Sequence, residues 1–237
     1  MKRLDQLLVE KGLAPTRSQA ENYIKLGFVQ VDGRQITKAG FITDENSRIE
    51  LKLAQQYVSR AGLKLDSVAK KFGLDFKDKL ILDAGSSTGG FTDYALRQGA
   101  RQVIAVEVGT AQMNPLIANN PRVELHEKTD IRDFQPLELP DIILADLSFI
   151  SLRQILPFLA KISGSETDII ALLKPQFEAG KTQINRGIVK NDKLRRQIIK
   201  DFENWVQKLF KVVDKQDSEI AGSKGNLERF YYLKPLK

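Results

Sequence analysis

Apolar and polar residues follow two rhythms along this chain. Up to Gln56 the blocks are short. Leu4, Leu7 and Leu8 share one face of a helix that stops at Gly12. Ala20, Tyr23 and Ile24 mark a second helix running to Gly27, with Thr16 and Gln19 spaced as a capping box at its start. FVQV, the turn pair Asp32-Gly33 and RQIT then predict two strands joined by a tight hairpin. After a connecting stretch at 54–57, Leu65, Val68, Ala69 and Phe72 recur at helical spacing before a stop at Gly73, with Lys64 at the edge of the stripe. From Leu80 onward, apolar runs alternate with amphipathic segments. LIL, RQVIAVEV, the weaker VELHEK, DIILADLS and TDIIALLKP read as strands. TDYALRQGA, LRQILPFLAKI and LRRQIIKDFENWVQKLF read as helices, and FKVVDKQ and ERFYYLKP supply two further strands. Alternation of this kind predicts an open, mostly parallel seven-stranded sheet with helices on both faces. The expected organisation is a small α+β module over residues 1–56 followed by an α/β domain over 57–237.

Ligands of such sheets bind outside the carboxyl ends of the strands. The segment from Leu80 to Phe91, LILDAGSSTGGF, puts a strand, a glycine loop and a helix there. Its spacing is not the dinucleotide G-x-G-x-x-G. D-x-G-x-x-x-G-G suits a ligand offering a ribose and an amino-acid moiety, as S-adenosylmethionine does, on a Rossmann-like sheet. Asp83, Gly85, Ser86, Ser87, Thr88, Gly89, Gly90 and Phe91 are the candidate cradle. Glu107, at the tip of the next strand, can accept hydrogen bonds from both ribose hydroxyls. Asp130 and Ile131, beyond VELHEK, offer an acceptor and an apolar wall for adenine. Asp146 and Lys174 end the fourth and fifth strands. Charges gathered in one cleft perturb each other's pKa values and are candidates for chemistry.

Charge and composition narrow the partners. The formal net charge is +7 and the pI near 9.4, which favours a polyanion. No cysteine is present, which removes thiolate metal sites and disulfides and fits a reducing compartment. The single histidine, His126, makes no metal cluster, and no metal is expected. No signal pattern and no apolar run of ~18 residues appears, so no membrane partner and a cytoplasmic location are expected. In the first module, Arg17, Lys25, Arg34 and Lys38 punctuate helix ends and strands.

The absence of cysteine also excludes methylation at pyrimidine carbon five through a thiolate adduct. Exocyclic-amine methylation normally uses an [ND]-P-P-[YF] motif where this chain has Asp146-Leu147-Ser148-Phe149. An oxygen acceptor remains, and a ribose hydroxyl needs its proton taken or tightly held. A neutral lysine can serve, and nearby positive charge favours neutrality.

Residues Lys2 to Leu53 resemble the ribosomal S-four RNA-binding domain through Thr16, Arg17, Ala20 and Gly27 to Gly33. Thr16 stands where serine is commoner. The resemblance implies binding of structured RNA through phosphates and shape, with Arg3, Arg17, Lys25, Arg34 and Lys38, and Arg60 of the following domain, as the candidate RNA contacts. The rest is similar to the FtsJ-type ribose methyltransferases. The whole chain resembles the TlyA (hemolysin A) family of ribosomal RNA 2′-O-methyltransferases. YVSRAGLKL, DAGSSTGGFTD, ADLSFISL, LLKPQFE and GNLERF carry the resemblance in order. It implies a Lys64, Asp146, Lys174 and Glu228 tetrad. Lys174 would be the base and Asp146 its orienting partner, while Lys64 and Glu228 would position the hydroxyl and the lysines. Ser86, Tyr94 and Glu107 stand where alanine, cysteine and aspartate are usual, and none removes a group the chemistry needs. The short amino-terminal extension resembles the form acting on large-subunit RNA, and cytidine is the acceptor the resemblance implies. The competing expectations are a catalytically silent RNA-binding assembly factor, a membrane-active hemolysin and a nicotinamide oxidoreductase.

Overall fold

The structure, a computed structural model, describes residues 1–14, 16–25, 27–51, 57–180, 184, 187–189, 191–222 and 225–236. The side chains of Gln19 and Lys25 lie outside the described residues, and with them the capping box and one candidate RNA contact. The chain forms two compact units, Met1–Gln56 and Tyr57–Lys237.

In the first unit, β1 (Lys2–Arg3) leads into α1 (Leu4–Glu10) and α2 (Arg17–Lys25). They are followed by β2 (Val29–Val31), β3 (Arg34–Ile36), β4 (Ile42–Thr43) and β5 (Ile49–Leu51). The hairpin turn at Asp32 and Gly33 has φ of 50° and 77°, the doubly left-handed geometry that matches strand twist. β2 pairs with both β3 and β5, while β1 pairs with β4. Strands β1, β4 and β5 escape sequence reading because two or three residues show no period. Leu4, Leu8, Ala20, Ile24, Val29 and Val31 make the core. Beneath them lies a buried carboxylate, Asp5. Arg3 grips it through Nε at 3.0 Å and Nη2 at 2.8 Å, and Arg17 Nε approaches at 2.9 Å. These bonds, Arg3 first, hold the Asp5 carboxyl down to about 2. Arg3 and Arg17 therefore support the fold while their side chains remain about half exposed.

The second unit begins with α3 (Arg60–Ala69), β6 (Leu80–Ala84), α4 (Gly90–Arg97), β7 (Gln102–Val106), α5 (Pro115–Ala118) and β8 (Val123–His126). It continues with β9 (Ile142–Ala145), α6 (Leu152–Lys161), β10 (Asp168–Leu173), α7 (Pro175–Glu178), α8 (Asp192–Val206), β11 (Phe210–Asp217) and β12 (Arg229–Pro235). The seven strands are ordered β11-β12-β10-β9-β6-β7-β8. Five run parallel, and β12 runs antiparallel to both β10 and β11. β6, β9 and most of β7 and β10 are buried on both faces, which is why they read as continuous apolar runs, whereas the edge strand β8 is only partly covered and reads weakly. One face packs on α6 and α8 through Leu156, Leu159, Ile199 and Phe202; the other packs on α3 and α4 through Leu65, Val68, Phe91 and Ala95.

α3 and α4 touch through glycines. A Cβ at Gly62 would run into the Tyr57 side chain and come within 2.9 Å of the Gly90 carbonyl. Gly62→Ala is therefore expected to cost about 1–3 kcal/mol by overpacking, lowering the thermal midpoint by roughly 2–4 °C per kcal/mol. A midpoint equal to wild type would contradict this packing.

Candidate active site

β6 and β9 are neighbours, and the chain leaves β6 toward β7 on one side and returns to β9 on the other. The crevice at their carboxyl ends is the topological switch point of the sheet. Three cavities open there. One of about 400 Å³ is lined by Gly85, Glu107, Asp130, Ile131 and Leu147 among others. A narrower one of about 120 Å³ reaches Asp83, Ser86, Thr88 and Phe91. The largest, about 520 Å³, is lined by Arg60, Lys64, Gln176, Asn226 and Glu228. Ser148 lines all three, Asp146 lines the first two and Lys174 lines the last two.

The glycine loop builds the first two. Gly85 and Gly89 have φ of 82° and 86°, where a side chain is strained, and a Cβ at Gly85 would sit 3.3 Å from Leu147 Cγ. The loop is tied down by Glu107, whose Oε2 accepts from Ser87 N at 2.9 Å and Oε1 from Gly109 N at 2.8 Å. Both carboxylate oxygens are thereby fixed with lone pairs to spare for ribose hydroxyls. Asp83 is buried, and its Oδ2 accepts from Thr92 Oγ1 at 2.6 Å. Among the described residues its Oδ1 and the Ser86 Oγ have no hydrogen-bond partner. Burial, with the Asp146 and Glu107 charges adding, pushes the Asp83 carboxyl up to about 7. Two unpartnered polar atoms beside a glycine cradle fit the amino-acid end of S-adenosylmethionine. Asp130 lies in the larger cavity but is held by Arg132 through Nε at 2.9 Å and Nη2 at 2.6 Å, which lowers its pKa. Ile131 is buried and supplies the apolar wall.

Two lysine–carboxylate pairs line these cavities, one where they meet and one on the wall of the largest of the three. Lys174 Nζ lies 2.7 Å from Asp146 Oδ1, while its directed hydrogen bond goes to Ser148 Oγ at 2.8 Å. Asp146 Oδ1 thus has the charge contact without a well-aligned hydrogen bond. Lys64 Nζ donates to Glu228 Oε2 at 2.5 Å, and Gln176 Nε2 reaches Glu228 Oε1 at 3.3 Å. Lys64, at the edge of the apolar stripe of α3, is buried, with its side chain 10% exposed. Its charge is tolerated inside because Glu228 meets it there.

The loops after β9 and β10 are joined rung by rung. Above the Lys174–Ser148 bond, the Phe149 and Phe177 rings lie 5.2 Å apart. Higher still, Glu178 accepts from Ser151 Oγ at 2.6 Å and Leu152 N at 2.7 Å. Phe149 is 91% exposed with φ of 66°, an uncommon conformation for a bulky residue and a sign of a functional constraint. Ser148, Phe149 and Phe177 escaped sequence reading, although ADLSFISL and LLKPQFE contain them. Of the candidate RNA contacts, Arg34 and Lys38 are exposed. Arg60 lines the largest cavity and donates through Nη2 to the Ala221 carbonyl at 2.5 Å. His126 lies with Glu124 at 2.7 Å and Phe134, away from these cavities. Among the described residues there is no group of three or more potential metal-ligating side chains, and no helix long and apolar enough to cross a membrane.

A switch-point crevice with a glycine cradle, a ribose carboxylate and unpartnered polar atoms defines a Rossmann-like methyltransferase using S-adenosylmethionine. A family model of FtsJ-like methyltransferases matches residues 57–234, and one of the S4 domain matches residues 2–49. The chain belongs to the FtsJ-like methyltransferases, in the TlyA (hemolysin A) family that joins such a domain to an S4 domain. It is similar to the 16S/23S rRNA (cytidine-2′-O)-methyltransferase TlyA of Mycobacterium tuberculosis, at 36% identity over 98% of this chain and 89% of the relative. It is also 40% identical to the 23S rRNA (cytidine-2′-O)-methyltransferase TlyA of Campylobacter jejuni, over 76% of this chain and 72% of that one. A solved structure of a Streptococcus thermophilus protein named as a hemolysin superposes with a TM-score of 0.77 and 37% identity, covering 100% of this chain and 89% of its own.

Proposed function

We propose that this protein transfers a methyl group from S-adenosylmethionine to the 2′-hydroxyl of a cytidine in ribosomal RNA. The observation carrying this reading is the junction at Ser148, which lines all three cavities and where the narrow cofactor cavity and the 520 Å³ acceptor cavity share Lys174. The bound cofactor supplies an electrophilic methyl on a sulfonium. Asp83 Oδ1 is placed to take its ammonium, Glu107 its ribose hydroxyls, and Ile131 with Asp130 its adenine. Lys174, the proposed base, acts as the neutral amine after its ammonium proton has passed to solvent: it takes the 2′-hydroxyl proton as the oxygen–methyl bond forms and the sulfonium–methyl bond breaks, with S-adenosylhomocysteine as the leaving group. Asp146 and Ser148 aim its amine, and most of the acceleration comes from positioning. The Lys64–Glu228 pair holds the acceptor ribose from the opposite wall. Phe149, exposed beside the same cavity, offers a stacking face for an unstacked base.

In this reading residues 1–56 grip structured RNA, using the half-exposed Arg3 and Arg17 with Arg34 and Lys38, and residues 57–237 perform the chemistry. Both named relatives carry 23S in their names, so large-subunit RNA is the proposed target. The test is incubation of the full chain with methyl-tritiated S-adenosylmethionine and an unmodified 23S transcript, with total ribosomal protein as a parallel acceptor. Label is expected in the RNA. Label in the protein alone would sink the proposal.

A further inference from the structure

Residues 181–200 carry seven lysines and arginines against one acidic residue, Asp192. On α8 that charge is unevenly disposed. Ile198, Ile199, Phe202 and Val206 form the buried face. Arg195 turns back to the domain, donating to Asp217 Oδ1 at 2.9 Å and to the Leu227 carbonyl at 3.2 Å. Lys193, Arg196 and Lys200 stay exposed. Their spacing of three and four residues stacks them on one solvent face over roughly 10 Å of helix. Among the described residues none of the three has an ion-pair partner. Carboxylates later in the helix are engaged elsewhere: Asp201 accepts from Gln197 at 2.8 Å and Glu203 meets Lys215 at 2.8 Å. Asp192 is exposed one turn before Arg196. An ordinary solvated helix face mixes signs and gains from pairs three or four residues apart, whereas like charges at that spacing are destabilising. A polyanion offsets that repulsion.

The stripe starts at the acceptor cavity. Asn191 caps α8, accepting from Lys193 N at 2.9 Å. Just upstream, Val189 N donates to Asn226 Oδ1 at 3.0 Å, and the Gly187 carbonyl accepts from Asn226 Nδ2 at 2.9 Å. Gly187 and Asn226 both line the 520 Å³ cavity. Arg195 is bonded to the segment that carries Glu228 into the cavity, and α7, which follows Lys174, packs on α8.

We propose that Lys193, Arg196 and Lys200 form a phosphate-binding face that holds the RNA strand flanking the target nucleotide as it leaves the acceptor cavity. This rests on reading the cavity as an RNA site, and continuity with that cavity favours RNA over an anionic lipid surface. The test is the full-length triple variant Lys193→Ala, Arg196→Ala, Lys200→Ala, binding a 23S transcript between about 50 and 200 mM salt. The slope of log K against log salt should become shallower by about 2, since each lost phosphate contact removes about 0.7–0.9. KM for the RNA should rise, while S-adenosylhomocysteine affinity keeps its wild-type value and the thermal midpoint does not fall, since the substitutions relieve like-charge repulsion. A slope changed by less than one overturns the proposal. So does wild-type binding to phosphatidylglycerol vesicles that the variant loses while its RNA slope stays unchanged. Because binding is read without turnover, a protein that transfers no methyl to RNA yet shows the shallower slope refutes the methyltransferase reading and leaves this face standing.

Discussion

Lys174→Ala is expected to lower the rate of methyl transfer about 10²–10⁴-fold, the usual range for loss of a positioned base, with S-adenosylhomocysteine binding nearly intact. The expectation rests on where the amine sits: 2.7 Å from Asp146 Oδ1, bonded to Ser148 Oγ, and on the wall of both the narrow cofactor cleft and the acceptor cavity. Removing the cation also leaves Asp146 partly buried without its counter-charge, which can destabilise the fold by itself. Lys174→Arg separates the two effects. The guanidinium keeps a positive charge beside Asp146 but cannot give up its proton in a protein. The arginine variant should therefore keep the wild-type thermal midpoint and be as slow as the alanine variant. Substantial turnover in either would remove Lys174 from the role of base.

Asp83→Asn is expected to weaken cofactor binding and abolish its pH dependence below neutrality. Burial raises the Asp83 carboxyl from 3.8 to about 7, so below that pH the cofactor-free protein holds it neutral. A cationic ammonium needs the carboxylate, so its binding releases a proton. Affinity for S-adenosylhomocysteine should rise about tenfold per pH unit between roughly pH 5.5 and 6.5, where one proton is linked to binding, and level off above 7. The sign for stability is opposite. Between about pH 4 and 7 the folded cofactor-free state binds more protons at this group than the unfolded chain does, so this contribution falls as pH rises through that window. In Asp83→Asn both dependences should disappear. An affinity that is flat with pH in the wild-type protein would show that Asp83 does not meet the cofactor's charge.

Much of the fold could be read from the sequence because of how it is buried. Leu80–Ala84, Ile142–Ala145 and most of Asp168–Leu173 are covered on both faces, so each appears as an unbroken apolar run ended by the residue that enters the crevice. The site followed from that rule: Asp83 at a carboxyl end and Asp146 and Lys174 just beyond one need no long-range information to be placed together. Lys64 and Glu228 are different. They are 164 residues apart, and only tertiary packing makes a lysine beside an apolar stripe a buried partner of a distant carboxylate. Asp5 is hidden for the same reason, since its burial depends on Arg17 reaching back from the next helix. The left-handed backbone of Phe149 left no trace in composition, because no glycine or asparagine marks it and the constraint comes from the rungs to Phe177 and Glu178. The touching glycines Gly62 and Gly90 read as ordinary helix residues until α3 and α4 are laid against each other.

The chemical position of the transferred methyl tests the central claim most directly. RNA labelled by the full-length protein would be digested with alkali and, in parallel, to nucleosides. A methylated ribose blocks alkaline cleavage at its own 3′ side, so the account predicts label in alkali-resistant dinucleotides and in 2′-O-methylcytidine. Label released by alkali as mononucleotides carrying a methylated base would contradict it.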